Sequence, residues 1–498
     1  MYVSTRGATG QFSAAEAIKA GMASDGGLFI PQSVVKMNIQ QLQALVESSY
    51  QERALAILSQ YLPDYTKDEV KDCINKAYNT IKFDCDEIAP LVSIDDDKYV
   101  LELWHGPTSA FKDMALQLLP HLLSHALAKT GETDEIVILV ATSGDTGKAA
   151  LEGFKDVDQT RIIVFYPQDG VSQIQRLQMI TQEGENVAVS AVEGNFDDAQ
   201  TGVKKIFNDD CYKQELAQRG FRLSSANSIN WGRLLPQIVY YFSAYADLVK
   251  QQRVNLGQEV NFVVPTGNFG NILAGYYAKM MGLPIKKLIC ASNQNNVLTE
   301  FFKTGCYDRR RDFHKTISPS MDILISSNLE RLLYHISGNN ASLLSQWMNR
   351  LSSEGFYEID DEYRAVIKEL FWADWADDQA TIQTIRKVYN EHNYLIDPHT
   401  AVAWQVGNTY QSQTGDQAPL VILSTASPFK FNDSVLEAIC STQDASIKTE
   451  FDMLDKIARI TGLKVPQGLN GLKTATHRHS QSCAKDEMSQ LVKVILFT

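Results

Sequence analysis

Lys112 is the residue whose surroundings most clearly predict chemistry. It lies in the segment H-G-P-T-S-A-F-K-D at 105–113, between a strand-like run and a helix-period apolar stripe. A lysine desolvated where a loop enters a helix loses its preference for the charged form, so its pKa falls. A neutral amine can attack a carbonyl and form a Schiff base. A single lysine of this kind is more often a surface residue whose charge reaches water past an apolar stem, so other residues must support the prediction.

Two glycine-rich loops, S-G-D-T-G-K-A at 143–149 and P-T-G-N-F-G-N at 265–271, each follow a buried strand and open a helix. Unpaired backbone N–H groups and the helix dipole make such a loop an anion site. The first loop departs from G-x-x-x-x-G-K-[ST] at Thr142 and Ala149, and the second departs from G-x-G-x-x-G at Pro265. Neither is a nucleotide signature. Each is a candidate phosphate or carboxylate cradle, with an ordinary tight turn as the equal alternative.

Two anion cradles and an activated lysine together predict a cofactor that carries both a phosphate and a carbonyl, and pyridoxal phosphate meets both demands. A third segment, L-S-T-A-S-P-F-K at 423–430, follows the end of a strand. A hydroxyl there is suited to hydrogen-bond the ring nitrogen of such a cofactor, or to cap the strand end. His121 and His125 have the spacing of metal ligands, but Leu122 stands where H-E-x-x-H requires glutamate, so no metal site is predicted.

Short apolar runs alternate with helix-period segments over most of the chain, which predicts an α/β fold of mainly parallel sheets flanked by helices. A hairpin formed by 91–94 and 99–103 is expected to feed the Lys112 loop. Helical patterns cover 39–62 and 67–81, and 360–393 is predicted to be one long amphipathic helical stretch. The predicted buried strands are 136–140, 161–165, 186–192, 261–265, 287–291 and 420–424.

These patterns divide the chain into three parts. Residues 1–90 are predicted to form a helical N-terminal domain, and 91–435 a catalytic α/β core of two lobes that binds the cofactor. Residues 436–498 are expected to form a helical tail with a polar, mobile segment near 474–486.

Composition restricts the possible partners. Of the 498 residues, 59 are acidic and 46 basic, and the net charge of −13 argues against a nucleic-acid surface. No apolar run approaches the roughly 20 residues of a membrane span, and no secretory pattern opens the sequence. The seven cysteines include no C-x-x-C pair, so neither a zinc site nor a disulfide framework is predicted. We expect a soluble cytoplasmic protein.

The chain resembles the threonine synthases, in their longer type with an N-terminal helical domain. The resemblance rests on segments that occur in order along nearly the whole chain, with the last 60 or so residues matching least. They are Y-V-S-T-R-G at 2–7, D-G-G-L-F-I-P at 25–31, H-G-P-T-S-A-F-K-D at 105–113, A-T-S-G-D-T-G at 141–147, N-S-I-N-W-G-R at 227–233, P-T-G-N-F-G-N at 265–271, S-P-S-M-D at 318–322, D-P-H-T-A-V-A at 397–403 and S-T-A-S-P at 424–428.

The resemblance implies a fold-type II pyridoxal-phosphate enzyme, similar to the tryptophan synthase β-subunit. The family converts O-phospho-L-homoserine and water into L-threonine and phosphate, by γ-elimination of phosphate and β-addition of water, as the last step of threonine biosynthesis. By motif position, Lys112 would carry the internal aldimine and move protons, and Thr425 would meet the pyridine nitrogen. Ser427 stands where the family often has histidine. The cofactor phosphate would be held by Gly267, Asn268, Phe269, Gly270 and Asn271.

The resemblance also implies two sets of residues that would bind the substrate. Arg233 is assigned to the set that would bind the substrate phosphate, with a structural role as its alternative. The α-carboxylate would bind Ser143, Gly144, Asp145 and Thr146, and the substrate phosphate would bind Asn227, Ser228, Asn230 and Arg233.

Three other functions remain as alternatives. The first is a serine or threonine dehydratase on the same fold, which would release no phosphate from phosphohomoserine. The second is a ligand sensor or scaffold without turnover. The third is a P-loop nucleotide hydrolase, against which the departures from the P-loop motif already count.

Overall fold

Two parallel sheets organise the chain, and the computed structural model describes residues 1–142, 144–168, 171–440 and 449–497. The strands of this part of the chain are β1 (Tyr2–Ser4), β2 (Phe29–Pro31), β3 (Leu91–Ser93), β4 (Lys98–Glu102), β5 (Glu135–Ala141), β6 (Thr160–Pro167), β7 (Val187–Glu193), β8 (Phe221–Ser224), β9 (Val260–Pro265), β10 (Ile285–Ser292), β11 (Cys306–Asp308), β12 (Phe356–Glu358), β13 (Phe371–Trp375), β14 (Leu420–Ser424) and β15 (Gln481–Ala484).

The larger sheet has the strand order β13-β10-β9-β14-β4-β3, in which only β3 is antiparallel to its neighbour. The smaller sheet has the order β15-β7-β6-β5-β8 and is wholly parallel. Two antiparallel pairs, β1 with β2 and β11 with β12, lie outside these sheets. Strands such as β9 and β14 are buried along their whole length, as expected for parallel strands covered by helices on both faces. The predicted fold class is confirmed.

Helices cover both sheets and form most of the N-terminal region. They are α1 (Ala14–Ala20), α2 (Ile39–Val46), α3 (Tyr50–Tyr61), α4 (Lys67–Ala77), α5 (Asp113–Leu116), α6 (Leu119–Lys129), α7 (Asp145–Phe154), α8 (Gln173–Ile180), α9 (Phe196–Asn208), α10 (Asp210–Ala217), α11 (Trp231–Lys250), α12 (Gly270–Met281), α13 (Val297–Thr304), α14 (Leu329–Ile336), α15 (Ala341–Ser353), α16 (Asp361–Leu370), α17 (Asp378–His392), α18 (Pro398–Thr414), α19 (Asn432–Ile439), α20 (Glu450–Thr461) and α21 (Met488–Phe497). Short 3₁₀ helices lie at Pro319–Met321, Pro428–Phe431 and Leu472–Thr474.

The helical pattern predicted over 39–62 is two helices, α2 and α3. Ser49 begins the second helix with a capping box: its hydroxyl accepts from the Glu52 N–H at 3.3 Å, and the Glu52 carboxylate accepts from the Ser49 N–H at 2.8 Å. These bonds satisfy donors that a new helix leaves unpaired, so the chain restarts here instead of continuing.

The prediction of one helical stretch over 360–393 was wrong. Between α16 and α17 the residues F-W-A-D-W form β13, which pairs in parallel with β10 from Leu288 and Phe371 onward. Three of these five residues are aromatic, and aromatic residues favour a strand that packs on a half-buried surface. The open edge of β10 supplies the hydrogen bonds that the local pattern did not reveal.

The expectation of a helical tail after residue 436 was also incomplete. Within the polar segment at 474–486, residues 481–484 form β15 and pair in parallel with β7, from Gln481 opposite Ser190 to Ala484 opposite Glu193. The end of the chain therefore completes the smaller sheet, and α21 then packs beside α9 through Val492 and Leu496.

The N-terminal helices support the segment that carries Lys112. Tyr78, just after α4, donates its hydroxyl to the carbonyl of Met114 in α5 at 2.5 Å. Tyr65 donates to the carbonyl of Leu122 in α6 at 2.9 Å. Both tyrosines are buried, so these bonds fix the two helices that follow the lysine. No helix within the described ranges has the length and apolar composition needed to cross a membrane.

Candidate active site

The Lys112 amine is buried at the entrance of α5, where its residue is the N-cap. Its Nζ donates to the hydroxyl of Ser320 at 3.3 Å and lies 3.8 Å from Oδ2 of Asp145. Burial lowers the pKa of Lys112 to about 8; Asp145 opposes that shift, whereas the cations Lys430 and Arg233 reinforce it. The sequence predicted a lysine where a loop enters a helix, with a pKa lowered by desolvation, and both features are present here.

The loop at 265–271 reaches the lysine through Ser320. A Cβ on Gly267 would lie 2.5 Å from the carbonyl oxygen of Ser320, so the two segments touch at a point where only glycine fits. Phe269 has a φ of +63°, an unfavourable conformation for a side chain of its size, and it precedes the first residue of α12. The 318–322 segment is therefore wedged between Lys112 and the second glycine-rich loop.

Unpaired donors collect at this loop. No hydrogen bond to another described residue uses the backbone N–H of any residue from 267 to 271. The side-chain Nδ2 of Asn271 is buried without a partner, whereas its Oδ1 accepts from the hydroxyls of Tyr240 at 2.5 Å and Tyr241 at 3.0 Å. Because α12 begins at Gly270, its dipole adds positive potential. These residues suit a bound phosphate and so meet the demand of the predicted cofactor.

Thr425 is brought beside the lysine by backbone pairing. Its carbonyl accepts from the N–H of Phe111 at 2.8 Å, and the N–H of Ser427 donates to the carbonyl of Ser109 at 3.1 Å. The Ser427 hydroxyl caps the 3₁₀ helix at Pro428–Phe431. Where the family often has histidine, Ser427 therefore provides a local cap, and Thr425 is paired through its backbone with Phe111, the residue before Lys112.

Of the residues predicted to hold a carboxylate, Ser143 lies outside the described residues. Gly144 is the N-cap of α7 with a φ of +142°, and a Cβ there would come within 2.5 Å of the Gln175 side chain. Thr146 is half-buried in the first turn. The backbone N–H groups of residues 145 and 146 donate to no other described residue, which leaves them available for an anion.

The Asp145 carboxylate is itself engaged by cations. Its Oδ1 lies 2.6 Å from Nζ of Lys430 and accepts from Nε2 of Gln175 at 3.1 Å. Burial raises the pKa of Asp145, but Lys430 and then Lys112 outweigh it and hold the pKa well below its usual range. An anionic side chain repels a carboxylate, so only the backbone of Asp145 is suited to the predicted role.

Arg233 is a buried cation without a carboxylate partner among the described residues. Its Nη1 donates to the carbonyl of Ala226 at 2.7 Å, and its Nε has no partner. Burial lowers its pKa to about 10. A buried guanidinium with an unused donor is costly unless an anion binds, so its geometry suits the phosphate role that the sequence suggested.

The other residues predicted for the substrate phosphate differ from Arg233. The side chain of Asn230 is used within the protein: Oδ1 accepts from the N–H of Gly232 at 2.8 Å, capping α11, and Nδ2 donates to the carbonyl of Ile18 at 3.0 Å. Asn227 is exposed and Ser228 is half-buried. Asn230 is therefore placed as a structural cap, and the structure leaves Asn227 and Ser228 accessible.

Sequence reasoning missed several residues of this site. Ser320 touches both Lys112 and the Gly267 loop, and its N–H donates to Nε2 of His399 at 3.1 Å. His399 in turn lies 2.7 Å from Oδ1 of Asp397 through Nδ1. These residues fall in the segments 318–322 and 397–403, which carried the resemblance. Their types alone indicated no chemistry, because the role of each comes from a distant partner.

The nucleotide-hydrolase alternative is disfavoured by the lysine of the first glycine-rich loop. Lys148 lies 3.1 Å from Oε2 of Glu152 and donates to Oε1 of Gln182, so its amine is already engaged. Among the described residues no cluster of three histidine, cysteine, aspartate or glutamate side chains is arranged to hold a metal ion.

Comparison with known proteins matches three family models along the chain. They are "Threonine synthase N terminus" over residues 1–78, "Pyridoxal-phosphate dependent enzyme" over 78–347 and "Threonine synthase, C-terminal" over 400–480. "Threonine synthase-like 1" of Homo sapiens is 44% identical over 434 residues, which are 85% of this chain but 58% of that protein. The chain thus spans little more than half the length of that relative.

Other relatives match over nine-tenths or more of both chains. Threonine synthase of Schizosaccharomyces pombe is 38% identical and is matched over 90% of this chain and 91% of its own length. The crystal structure of pyridoxal-phosphate-bound threonine synthase from Brucella melitensis superposes with a TM-score of 0.88 at 38% identity, covering 99% of this chain and 98% of that one.

Proposed function

The chain belongs to the threonine synthase family, and from this membership we propose that it is a pyridoxal-phosphate-dependent lyase. Its reaction would convert O-phospho-L-homoserine and water into L-threonine and phosphate. The observation that carries the proposal is the buried Lys112 amine, whose partner Ser320 also touches the unpaired donors of the 267–271 loop. An amine and a phosphate cradle meet at one place, as this cofactor requires.

The cofactor would be held at three points. Lys112 is the attachment point, the five N–H groups of 267–271 with Nδ2 of Asn271 hold the phosphate, and Thr425 meets the pyridine nitrogen. Pyridoxal phosphate, when bound, supplies an aldehyde for the amine and a ring that accepts an electron pair. A neutral threonine hydroxyl leaves the ring nitrogen less positive than a carboxylate partner would.

Lys112 does the proton work once the substrate amine has taken its place. Its amine takes the proton from Cα and gives it up again before it takes the proton from Cβ, and it returns a proton at Cγ after phosphate has left. When water adds at Cβ, the proton that water releases goes to the departed phosphate, and Lys112 finally returns a proton to Cα. A base with a pKa of about 8 exists in both protonation states near neutral pH, so one residue can accept and donate in turn. Burial of the site keeps bulk water from these steps until water adds at Cβ.

The substrate would be held by its two anionic ends. The N–H groups of residues 145 and 146, together with Ser143, are proposed for the α-carboxylate, because the N–H of Gly144 already donates to the hydroxyl of Thr142 at 3.0 Å. Arg233 is proposed for the phosphate, with Asn227 and Ser228 beside it, because its buried guanidinium has an unused donor. Loss of phosphate removes the charge that Arg233 binds, which favours release of the product.

The test is phosphate and threonine formation from O-phospho-L-homoserine by the full-length protein loaded with pyridoxal phosphate. We expect both products in equal amounts, visible-range absorption from the attached cofactor, and loss of both in Lys112→Ala. Phosphate-free turnover of serine or threonine with no phosphate release from phosphohomoserine would indicate a dehydratase instead. A protein that stays colourless with added cofactor would refute the proposal.

Two sequence predictions accompany this proposal. One is the division into a helical N-terminal domain (1–90), a two-lobed catalytic core (91–435) and a C-terminal part (436–498). The other is a cytoplasmic location. Limited proteolysis and cell fractionation would test them.

A further inference from the structure

Lys430 is a buried cation to which the mechanism above gives no role. Its side chain is fully buried, and its Nζ lies 2.6 Å from Oδ1 of Asp145 and 2.9 Å from the carbonyl oxygen of Thr108. Burial of an ammonium is unfavourable unless partners compensate for its lost hydration. Lys430 is buried beside a second lysine, Lys112, and both amines lie near the Asp145 carboxylate.

Lys430 and Lys112 share one carboxylate, but unequally. Oδ1 of Asp145 contacts Lys430 at 2.6 Å, whereas Oδ2 lies 3.8 Å from Nζ of Lys112, beyond hydrogen-bonding distance. The Lys112 amine donates instead to the neutral hydroxyl of Ser320 at 3.3 Å. The carboxylate is therefore committed to Lys430, and Lys112 has no close anionic partner among the described residues.

The other charged groups around Lys112 do not give its amine a close anionic partner among the described residues. Arg233 approaches from α11 as a second cation. Asp113, on the helix that follows the lysine, is held by the N–H and the hydroxyl of Thr108, each at 2.8 Å. Because the carbonyl of Thr108 accepts from Lys430, the same lysine also anchors the turn that occupies Asp113.

We propose that Lys430 is a positioning residue for Lys112: it holds the Asp145 carboxylate out of hydrogen-bonding distance, so that the Lys112 amine contacts only a neutral hydroxyl and can attack the aldehyde of the cofactor. This inference rests on the proposed function. Without Lys430, Lys112 is the one cation among the described residues that forms an ion pair with this carboxylate. A close pair would form and would keep the amine protonated.

Removal of Lys430 should therefore raise the pKa of Lys112, which burial now lowers to about 8. An opposite charge in contact shifts a pKa by about 1–3 units. Each unit lowers the neutral fraction of the amine roughly tenfold once the pKa is above the working pH. Cofactor attachment near pH 7.5 should then be about 10-fold slower or more.

The variants that test this are Lys430→Met, the double variant Lys430→Met/Asp145→Asn, and Lys148→Met as a matched control. Lys148 lies on the same helix as Asp145 and is also a paired lysine, but its partner is Glu152. The full-length chain is stripped of cofactor, pyridoxal phosphate is added, and the growth of visible absorption is followed from pH 6 to 10. We expect a higher midpoint for Lys430→Met, a return toward wild type in the double variant, and no shift in the control.

Recovery in the double variant distinguishes an electrostatic role of Lys430 from a purely structural one. If Lys430 is purely structural, cofactor attachment in the double variant should be no faster than in Lys430→Met. A double variant as slow as Lys430→Met would overturn the inference. Should Lys430→Met fail to fold, Lys430→Gln keeps the hydrogen bonds but not the charge. It must raise the midpoint in the same way.

A second measurement does not depend on the cofactor. Competitive acetylation of the stripped protein with acetic anhydride, read by peptide mass spectrometry at Lys112, reports the titration of that amine. A wild-type protein that never attaches cofactor refutes the proposed function, while the acetylation midpoints still decide this inference. Equal midpoints in wild type and Lys430→Met would overturn it.

Discussion

Substitution of Gly267 by alanine should weaken cofactor binding more than any other single methyl group added to this loop. The new Cβ would lie 2.5 Å from the carbonyl oxygen of Ser320 and 3.5 Å from Cα of Met321. Ordinary contact needs about 3.4 Å or more, so the two segments must separate by roughly 0.9 Å. Both are backbone, and no side-chain rotation relieves the overlap.

Movement of the 267–271 loop should weaken cofactor binding. Ser320 is held by the Lys112 amine at 3.3 Å and by His399 at 3.1 Å, so it resists displacement and the 267–271 loop must move away from the lysine. A misplacement of about 1 Å in a binding constellation costs on the order of 100-fold. In free energy this is about 2.8 kcal/mol of cofactor binding.

The assay is titration of the stripped protein with pyridoxal phosphate, followed by visible absorption, together with thermal unfolding. Gly407→Ala is the control, because its Cβ would meet only side chains of Val263 and Leu420, at 3.3 Å and 3.4 Å, within a helix that tolerates alanine. We expect about 100-fold weaker cofactor binding in Gly267→Ala only. A dissociation constant within threefold of wild type, with an unchanged melting temperature, would refute the steric reasoning.

Three other predictions follow from the same contacts. Arg233→Met should lower kcat/KM for O-phospho-L-homoserine by roughly 10- to 100-fold in steady-state kinetics of the fully cofactor-loaded protein, since a charged hydrogen bond is worth about 1.5–3 kcal/mol; an unchanged kcat/KM would contradict this role. Thr425→Val should lower kcat about tenfold through loss of one hydroxyl bond, with the backbone bond to the loop retained; an unchanged kcat would remove Thr425 from the mechanism. Burial lowers the pKa of His105, but its bonds to Asp84 and Glu102 outweigh this and raise it to about 9. Protonated His105 therefore adds to the free energy of unfolding fully below pH 6.5, and this contribution is lost as pH rises through 9. We expect it to be about 1–2 kcal/mol, discounted for the exposure of Asp84, when urea unfolding of wild type and His105→Gln is compared across pH. Parallel pH profiles of the two proteins would contradict this.

Local pattern predicted the central strands and helices well, because their signals lie within a few residues. The mainly apolar runs of β5, β9 and β14 are typical of strands buried on both faces, and the glycine-rich loops that follow β5 and β9 lead into helices. The same reasoning failed at β13 and β15. Each is an edge strand whose backbone bonds come from a neighbour distant in the chain, so the residues themselves carry only a weak preference.

The candidate site divides in a similar way. The local sequence around each residue, together with the resemblance to a family, was enough to predict roles for Lys112, the 265–271 loop and Thr425. Asp145 and Asn230 were predicted to bind the α-carboxylate and the phosphate of the substrate, but the contacts engage the side chain of Asp145 with Lys430 and that of Asn230 in helix capping. A side chain with one sequence neighbourhood can serve a ligand or the protein, and the partner decides which.

What the sequence by itself determined is the inventory: an amine at a helix entrance, two glycine-built anion cradles and the alternating elements that carry them. Tertiary structure alone decided which charges meet. Ser320 reaches Lys112 across 208 positions, and the Lys430 side chain lies over the Thr108 carbonyl across 322 positions. Electrostatic interaction falls with distance in space and is indifferent to distance along the chain, so the basicity of Lys112 follows only from the packed fold.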